Sequence, residues 1–447
     1  MRRYLFYVII KSGVLLTEFG KMAVKRVDKK KKNWTRPHHK VTWALVRAGA
    51  FVVARMRYDY RYEKVSAKEY PQALVLCNHQ NDFDPFMLGV PFSKPVYYIA
   101  NETLFSTGFF GKFLSWALAP IPIKKNTSDT RAVANLFRVA KEGGNIAVFP
   151  EGNTCIAGKS VYIKKTIAAI ARKLKIPLVL YRLEGGYGVK PRWSDVKRKG
   201  YVEGKVVRIL KPEEMEKMSV DELYDIITEA LFVDEHLCGR EFSSPKMAEG
   251  AERIFYVCPV CGLTKFKTAG NHISCEKCSC GADFEPSLTL KSDSPEFGFA
   301  DENEWYEFQQ DYLRKLDKNA YLDHPAYEDE VSVFSVVPYK KKKMIAKNIS
   351  LALFSDRIRF GGKNGSEEKK SVPEILFFKD MEAASVFKAN TLVLSMKNKE
   401  IYQLRGNKEF NALKYVNFLA HFQGKGMFEL TELPRYEGEC DVEFLGI

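Results

Sequence analysis

The chain is 447 residues long, 46% hydrophobic and 13% aromatic, and carries a formal charge of +15. It is long enough for about two to four domains with substantial buried cores, which excludes a chain too polar to fold. The positive balance favours anionic partners, a membrane surface or nucleic acid.

At the N-terminus, YLFYVIIKSGVLLTEFGKMA (4–23) is apolar but broken by Lys11, Glu18 and Lys21. Its uninterrupted run is too short to span a bilayer, and no small-residue cleavage site marks a signal peptide. The expectation is an amphipathic helix lying in the membrane interface, anchored by Tyr4, Phe6, Tyr7 and Phe19 and followed by the basic run KRVDKKKKNW (25–34). HHKVTWALVRAGAFVVARMRY (38–58) is a second candidate, either facing lipid or packing on the domain that follows.

LVLCNHQNDFDPFMLG (74–89) then reads as a buried strand that turns out of a sheet at Asn78, with a helix restarting near Pro85 behind an N-cap at Asp84. Ligands gather at the carboxyl ends of such strands. His79 and Asp84 flank one tight loop, so the carboxylate can receive one imidazole N–H and leave the other nitrogen as a base. No G-x-S-x-G elbow supplies a nucleophile, so the base is expected to act on a substrate hydroxyl. LFSTGFFGKFLSWALAPIPI (104–123) crowds Phe105, Phe109, Phe110 and Phe113 into a stretch suited to a core, an acyl groove or lipid contact. A helical segment, TRAVANLFRVAKEGG, leads to a second apolar strand, Ile146 to Phe149, which breaks at Pro150, Glu151 and Gly152. Two strand ends with polar loops and a helix between them fit neighbouring βα units of one sheet.

NHxxxxD followed by FPEG resembles the glycerolipid acyltransferase family, that of the 1-acylglycerol-3-phosphate acyltransferases, over about residues 37–231. The resemblance implies His79 as general base, Asp84 orienting it, and Asn78 within the same motif. It places Phe149, Pro150, Glu151 and Gly152 at the acceptor. APIPIKK supplies Lys125 at a position where the family has a phosphate-binding arginine, and KIPLVLYRLEGG, centred on Pro177, matches the remaining motif. The chain departs from the family at Thr154, where an arginine is usual; a threonine makes no bidentate contact with phosphate. Lys159 and Lys164 are further cations near that loop.

Farther on, VCPVCGLTKFKTAGNHISCEKCSCGADF sets Cys258 and Cys261 a short distance before Cys275 and Cys278, two C-x-x-C pairs able to converge on a structural Zn2+, with Cys280 as an alternative fourth ligand. The last hundred residues alternate short strands (VSVFSVV, SLALFS, RIRFGG, EILFF, ASVFKA, TLVLSM, EIYQLRG) and end in a helix over EFNALKYVNFLAHFQ, a pattern that resembles a pleckstrin-homology (PH) or GRAM-like barrel.

The expected fold class is therefore α/β: a glycerolipid acyltransferase-like mixed sheet flanked by helices, followed by a small zinc ribbon and a PH-like β-barrel. Expected boundaries are 1–64 for the N-terminal helical segment, 65–245 for the acyltransferase domain, 250–285 for the ribbon, 286–328 for a helical linker, 329–425 for the barrel and 426–447 for a tail. A catalytic domain cut free near residue 245 is expected to retain activity. The expected activity is transfer of an acyl chain from acyl-CoA, acyl carrier protein or an acyl phosphate to a lysophospholipid, by a peripheral enzyme on the cytoplasmic face of the membrane, with no cofactor for the chemistry. An inactive lipid-binding scaffold is the alternative. A zinc-ribbon nucleic-acid binder is weaker, because it leaves both loop motifs unexplained.

Overall fold

A computed structural model of the chain describes residues 33–101, 109–123, 130–292, 294–337, 342–361 and 372–423. The expected interfacial helix at 4–23, Phe105, Lys125 and the tail at 426–447 lie outside these residues.

The first sheet comprises β1 (Arg61–Tyr62), β2 (Leu74–Cys77), β3 (Val96–Asn101), β4 (Ile121–Ile123), β5 (Asn145–Val148), β6 (Leu178–Glu184) and β7 (Glu203–Leu210), in the order β1-β7-β6-β2-β5-β3-β4. Every pairing is parallel except β6 with β7. The two loops singled out in the sequence leave the carboxyl ends of β2 and β5, which pair directly through Leu74 with Ile146 and Leu76 with Val148.

Helices cover both faces: α1 (His38–Tyr58), α2 (Asp84–Gly89), α3 (Phe109–Ala117), α4 (Thr130–Lys141), α5 (Thr166–Leu174), the single turn α6 (Gly186–Val189), α7 (Pro212–Lys217) and α8 (Val220–Leu231). Alternation along β2 sends Leu74 and Leu76 into the core shared with α4, α5 and α8, and Val75 and Cys77 into the core shared with α1 and α2. Asp84 is not the N-cap expected from the sequence. Phe83 holds that position, and Asp84 opens the helix.

Two small antiparallel units follow. A hairpin of β8 (Val257–Cys258) and β9 (Gly262–Leu263) precedes a four-stranded sheet of β10 (Phe266–Ala269), β11 (His272–Cys275), β12 (Gly281–Phe284) and β13 (Leu290–Lys291). The segment expected to be a linker contains α9 (Glu302–Arg314), whose Trp305, Tyr306 and Leu313 are buried. Trp305 stacks on Phe255 with centroids 3.6 Å apart, and its indole N–H donates to the Val257 carbonyl at 3.0 Å. One buried core runs from Trp43 and Val179 through Trp193, Phe242 and Phe284 to Trp305. Packing is therefore continuous across residue 245, where the sequence suggests a boundary.

The C-terminal sheet comprises β14 (Tyr327–Ser335), β15 (Lys343–Leu353), β16 (Arg357–Gly361), β17 (Ile375–Phe377), β18 (Met381–Phe387), β19 (Thr391–Met396) and β20 (Ile401–Arg405), with α10 (Ala412–Phe422) packed on it. The expected barrel is corrected to an open sheet in the order β17-β16-β15-β14-β20-β19-β18, whose end strands do not pair among the described residues. Gln423, just after α10, donates its side-chain amide to the carbonyls of Phe378 and Met381, acceptors that lie at the junction of the two end strands.

Candidate active site

The loop after β2 is held in place almost residue by residue. Asn78, fully buried, donates its amide to the Leu183 carbonyl and accepts the Leu183 N–H, both at 2.8 Å, which ties the loop to β6. Both bonds run to the backbone of β6, so Asn78 anchors the loop that carries His79. Gln80 accepts the Gly186 N–H at 2.8 Å and donates to the buried carboxyl of Glu235. A Cβ on Gly186 would stand 2.5 Å from the Gln80 side-chain oxygen, so only glycine allows this approach. Asn81 accepts from Phe83 N–H at 2.8 Å.

Within this frame His79 Nδ1 lies 2.8 Å from Asp84 Oδ2, which also accepts the N–H groups of Gln80 at 2.6 Å and Asn81 at 2.8 Å. Asp84 is fully buried, whereas the His79 side chain is 19% exposed. A carboxylate fixed by two backbone donors requires the imidazole to donate from Nδ1, which leaves Nε2 as the basic nitrogen. Among the described residues Nε2 has no hydrogen-bond partner. The ring stacks on Phe149, centroids 4.4 Å apart.

The second loop supports the first from below. Glu151 accepts the His79 N–H at 3.1 Å through Oε1 and the Val161 N–H at 3.2 Å through Oε2, and Cys155 donates its N–H to the His79 carbonyl at 2.8 Å. Gly152 turns with φ of +69°, a left-handed conformation that favours glycine. Burial pushes the Glu151 carboxyl up to about 8, against the downward pull of the two backbone N–H groups. Glu235 is likewise raised by burial, to about 7. Burial thus favours the uncharged form of Glu151 beside His79.

A stability consequence follows. Glu151 binds its proton more tightly folded than unfolded, so its contribution is complete below about 4.5 and is lost as pH rises to about 8. Glu151→Gln should flatten that part of the decline, by on the order of 1–3 kcal/mol between pH 5 and 8 in urea titrations. An unchanged pH dependence in the variant would show that Glu151 titrates normally.

Of the expected cations, Lys159 pairs with Glu307 of α9 at 3.4 Å, and Lys164 is exposed one residue before the Lys165 N-cap of α5. Thr154 is buried, and its hydroxyl accepts from Arg192 Nη1 at 3.1 Å. Neither Arg192 nor Glu235 belongs to a recognisable motif. Each reaches the site from a segment far along the chain.

Farther along the chain, the Sγ atoms of Cys258, Cys261, Cys275 and Cys278 lie within 4.8 Å of one another, a cluster that could hold a metal ion. Cys280 Sγ is 3.2 Å from Cys258 and 3.1 Å from Cys278.

Residues 59–181 match the model of the Acyltransferase family. Over these residues the chain is similar to an acyltransferase domain. The match spans His79, Asp84 and Glu151 and supports acyl transfer at the level of the family. A solved structure of the 1-acyl-sn-glycerophosphate (LPA) acyltransferase PlsC from Thermotoga maritima is similar at 20% identity, covering 51% of this chain and 90% of that one, with a TM-score of 0.37. The linker-DH/PH domains of p115-RhoGEF are similar at 11% identity over 26% of this chain and 36% of that one, with a TM-score of 0.15. Both superpositions are too loose to carry a structural argument. No curated protein matches the chain.

Proposed function

We propose that the protein transfers an acyl chain from a thioester, acyl-CoA or acyl carrier protein, to the hydroxyl of a lysophospholipid, with 1-acylglycerol-3-phosphate as the first candidate. The observation that carries this reading is the His79–Asp84 pair, with Nε2 unengaged at a partly open position and Nδ1 committed to a buried carboxylate. The acceptor hydroxyl hydrogen-bonds Nε2. As its oxygen attacks the acyl carbonyl carbon, its proton passes to the imidazole, and Asp84 stabilises the imidazolium. The carbon–sulfur bond then breaks and the departing thiolate recovers the proton.

An apolar surface near this site supports work on lipid. On α1, Val41, Leu45, Val52 and Met56 are exposed, and on α3 Phe109, Phe113 and Trp116 are exposed. The two helices are tied together where Thr42 donates to the Ala117 carbonyl at 2.6 Å and His38 stacks on Trp116. No helix among the described residues is long and apolar enough to cross a membrane. This surface fits partial insertion into one leaflet of an anionic membrane, the peripheral placement proposed here at the cytoplasmic face. Leu45→Asp with Phe109→Asp should cut co-sedimentation with anionic vesicles at least tenfold. Unaltered binding would remove this surface from the membrane reading.

The cysteine cluster fits zinc. Four thiolates bound tetrahedrally at about 2.3 Å stand about 3.8 Å apart, close to the 3.7 Å between Cys258 and Cys278 and the 4.0 Å between Cys261 and Cys275. Cys280 lies closer to two of them than ligands of one ion would, so Cys278 is the proposed fourth ligand. With four thiolates bound, no position remains for water, and the ion is structural.

The reading is tested by incubating purified protein with vesicles, a panel of lysolipids and labelled acyl-CoA or acyl carrier protein, with products read by mass spectrometry. Binding of lysolipid with no acyl product would favour the inactive scaffold.

A further inference from the structure

The loop expected to hold phosphate has no arginine of its own, yet a guanidinium stands against it. Arg192 Nη1 donates to the Thr154 hydroxyl at 3.1 Å, and Thr154 directly precedes Cys155, whose N–H holds the His79 carbonyl. The other side of the guanidinium is fixed by the C-terminal sheet. Nε donates to the Lys388 carbonyl at 3.1 Å, and Nη2 donates to the Val386 carbonyl at the β18–β19 turn. Three of its five N–H groups are thus used, all on neutral oxygens.

No carboxylate lies within 4.0 Å of Arg192 among the described residues. Asp82, on the catalytic loop, is near enough to act through space but outside ion-pair reach. A half-buried guanidinium without a counter-charge is costly unless an anion visits it, because burial disfavours its charged form. Its fork geometry matches two oxygens of a phosphate, which a lysine matches poorly.

We propose that Arg192, presented to the catalytic loops by the C-terminal sheet, holds the phosphate monoester of the acceptor. This rests on the acyltransferase reading and extends it: the C-terminal sheet completes the acceptor site instead of being an appended module. Phosphate could also reach Arg192 on the donor, as part of coenzyme A, so the test separates the two.

Kinetics with 1-acylglycerol-3-phosphate and with uncharged 1-acylglycerol should show that Arg192→Gln lowers the kcat/KM ratio between them 10–100-fold, chiefly through KM for the phosphorylated acceptor. Arg192→Lys should recover part of that loss, since it restores a charge without the fork. A ratio that does not move, or a rise in donor KM in place of acceptor KM, overturns the assignment. A second readout is independent of turnover. Glycerol 3-phosphate in excess should raise the melting temperature of the wild type by about 2 °C and leave Arg192→Gln unmoved. If the wild type acylates no lysolipid, the acyltransferase reading fails, and the thermal shift still decides whether Arg192 binds a phosphate monoester. Equal shifts in wild type and Arg192→Lys with none in Arg192→Gln support a charge-based site, and equal shifts in all three overturn it.

Discussion

His79→Ala is expected to lose acyl transfer by at least 10²–10⁴-fold, the range that a positioned base contributes. The variant should keep the fold, because Asp84 retains two backbone N–H donors when the imidazole is gone. His79→Gln preserves a donor for Asp84 but supplies no base, so it should be as inactive as the alanine variant. Asp84→Asn should lose less activity yet more stability. Its amide can replace the acceptor oxygen, but a neutral group holds the Gln80 and Asn81 N–H groups more weakly than a charged one, by roughly 1–2 kcal/mol. Turnover near wild type in either His79 variant would remove the imidazole from the mechanism.

The second large effect concerns the cysteines. One zinc per chain is expected by elemental analysis, and Cys258→Ser with Cys261→Ser should lose it. The damage should reach the active site. Cys258 and Cys275 belong to the same buried core as Trp43, Val179 and Tyr187, so a collapsed cluster exposes apolar surface shared with the catalytic sheet. The same argument reverses the expectation for a chain cut near residue 245. Such a fragment leaves Trp193 without Phe284, and His236 without the Leu288 carbonyl that lies 3.0 Å from its Nδ1. It also loses Phe255 and Trp305. Each fully buried large side chain contributes about 1.5–3 kcal/mol, so several together rival the roughly 5–15 kcal/mol that holds a typical domain folded. The fragment should be insoluble or inactive. A soluble fragment with full turnover would show that the continuous core is dispensable.

What the sequence revealed and what it hid divide by distance along the chain. The strand before His79, the strand before Pro150 and each C-terminal strand followed from local alternation and from polar breaks within a few residues. Asn78 and Glu151 stand out in the sequence as site residues, but their partners, Leu183 and Val161, are backbone groups with no sequence signature. Glu235 and Arg192 were missed altogether. The first meets Gln80 across 155 positions and the second meets Val386 across 194, separations at which no spacing pattern points from one residue to the other. The packing of the segment expected to be a helical linker was hidden for a related reason. Acidic residues dilute EWYEFQQDYLRKL on its open face, and the buried face carrying Trp305, Gln309 and Leu313 became evident only against Phe255 and Ile254.

The core that joins Trp43 to Trp305 and Leu413 also sets an order of events during synthesis. Helix α1 leaves the ribosome early, but the surfaces that close its core are translated some 260 to 370 residues later. At roughly 5–20 residues per second that interval is on the order of tens of seconds. During it, the nascent catalytic half presents an incomplete apolar face while α1 and α3 expose theirs. Contacts this distant in sequence also slow the final step. Chaperone capture or early membrane contact is thus expected to protect the chain until its C-terminal sheet arrives, and catalytic competence should emerge only with the last strands.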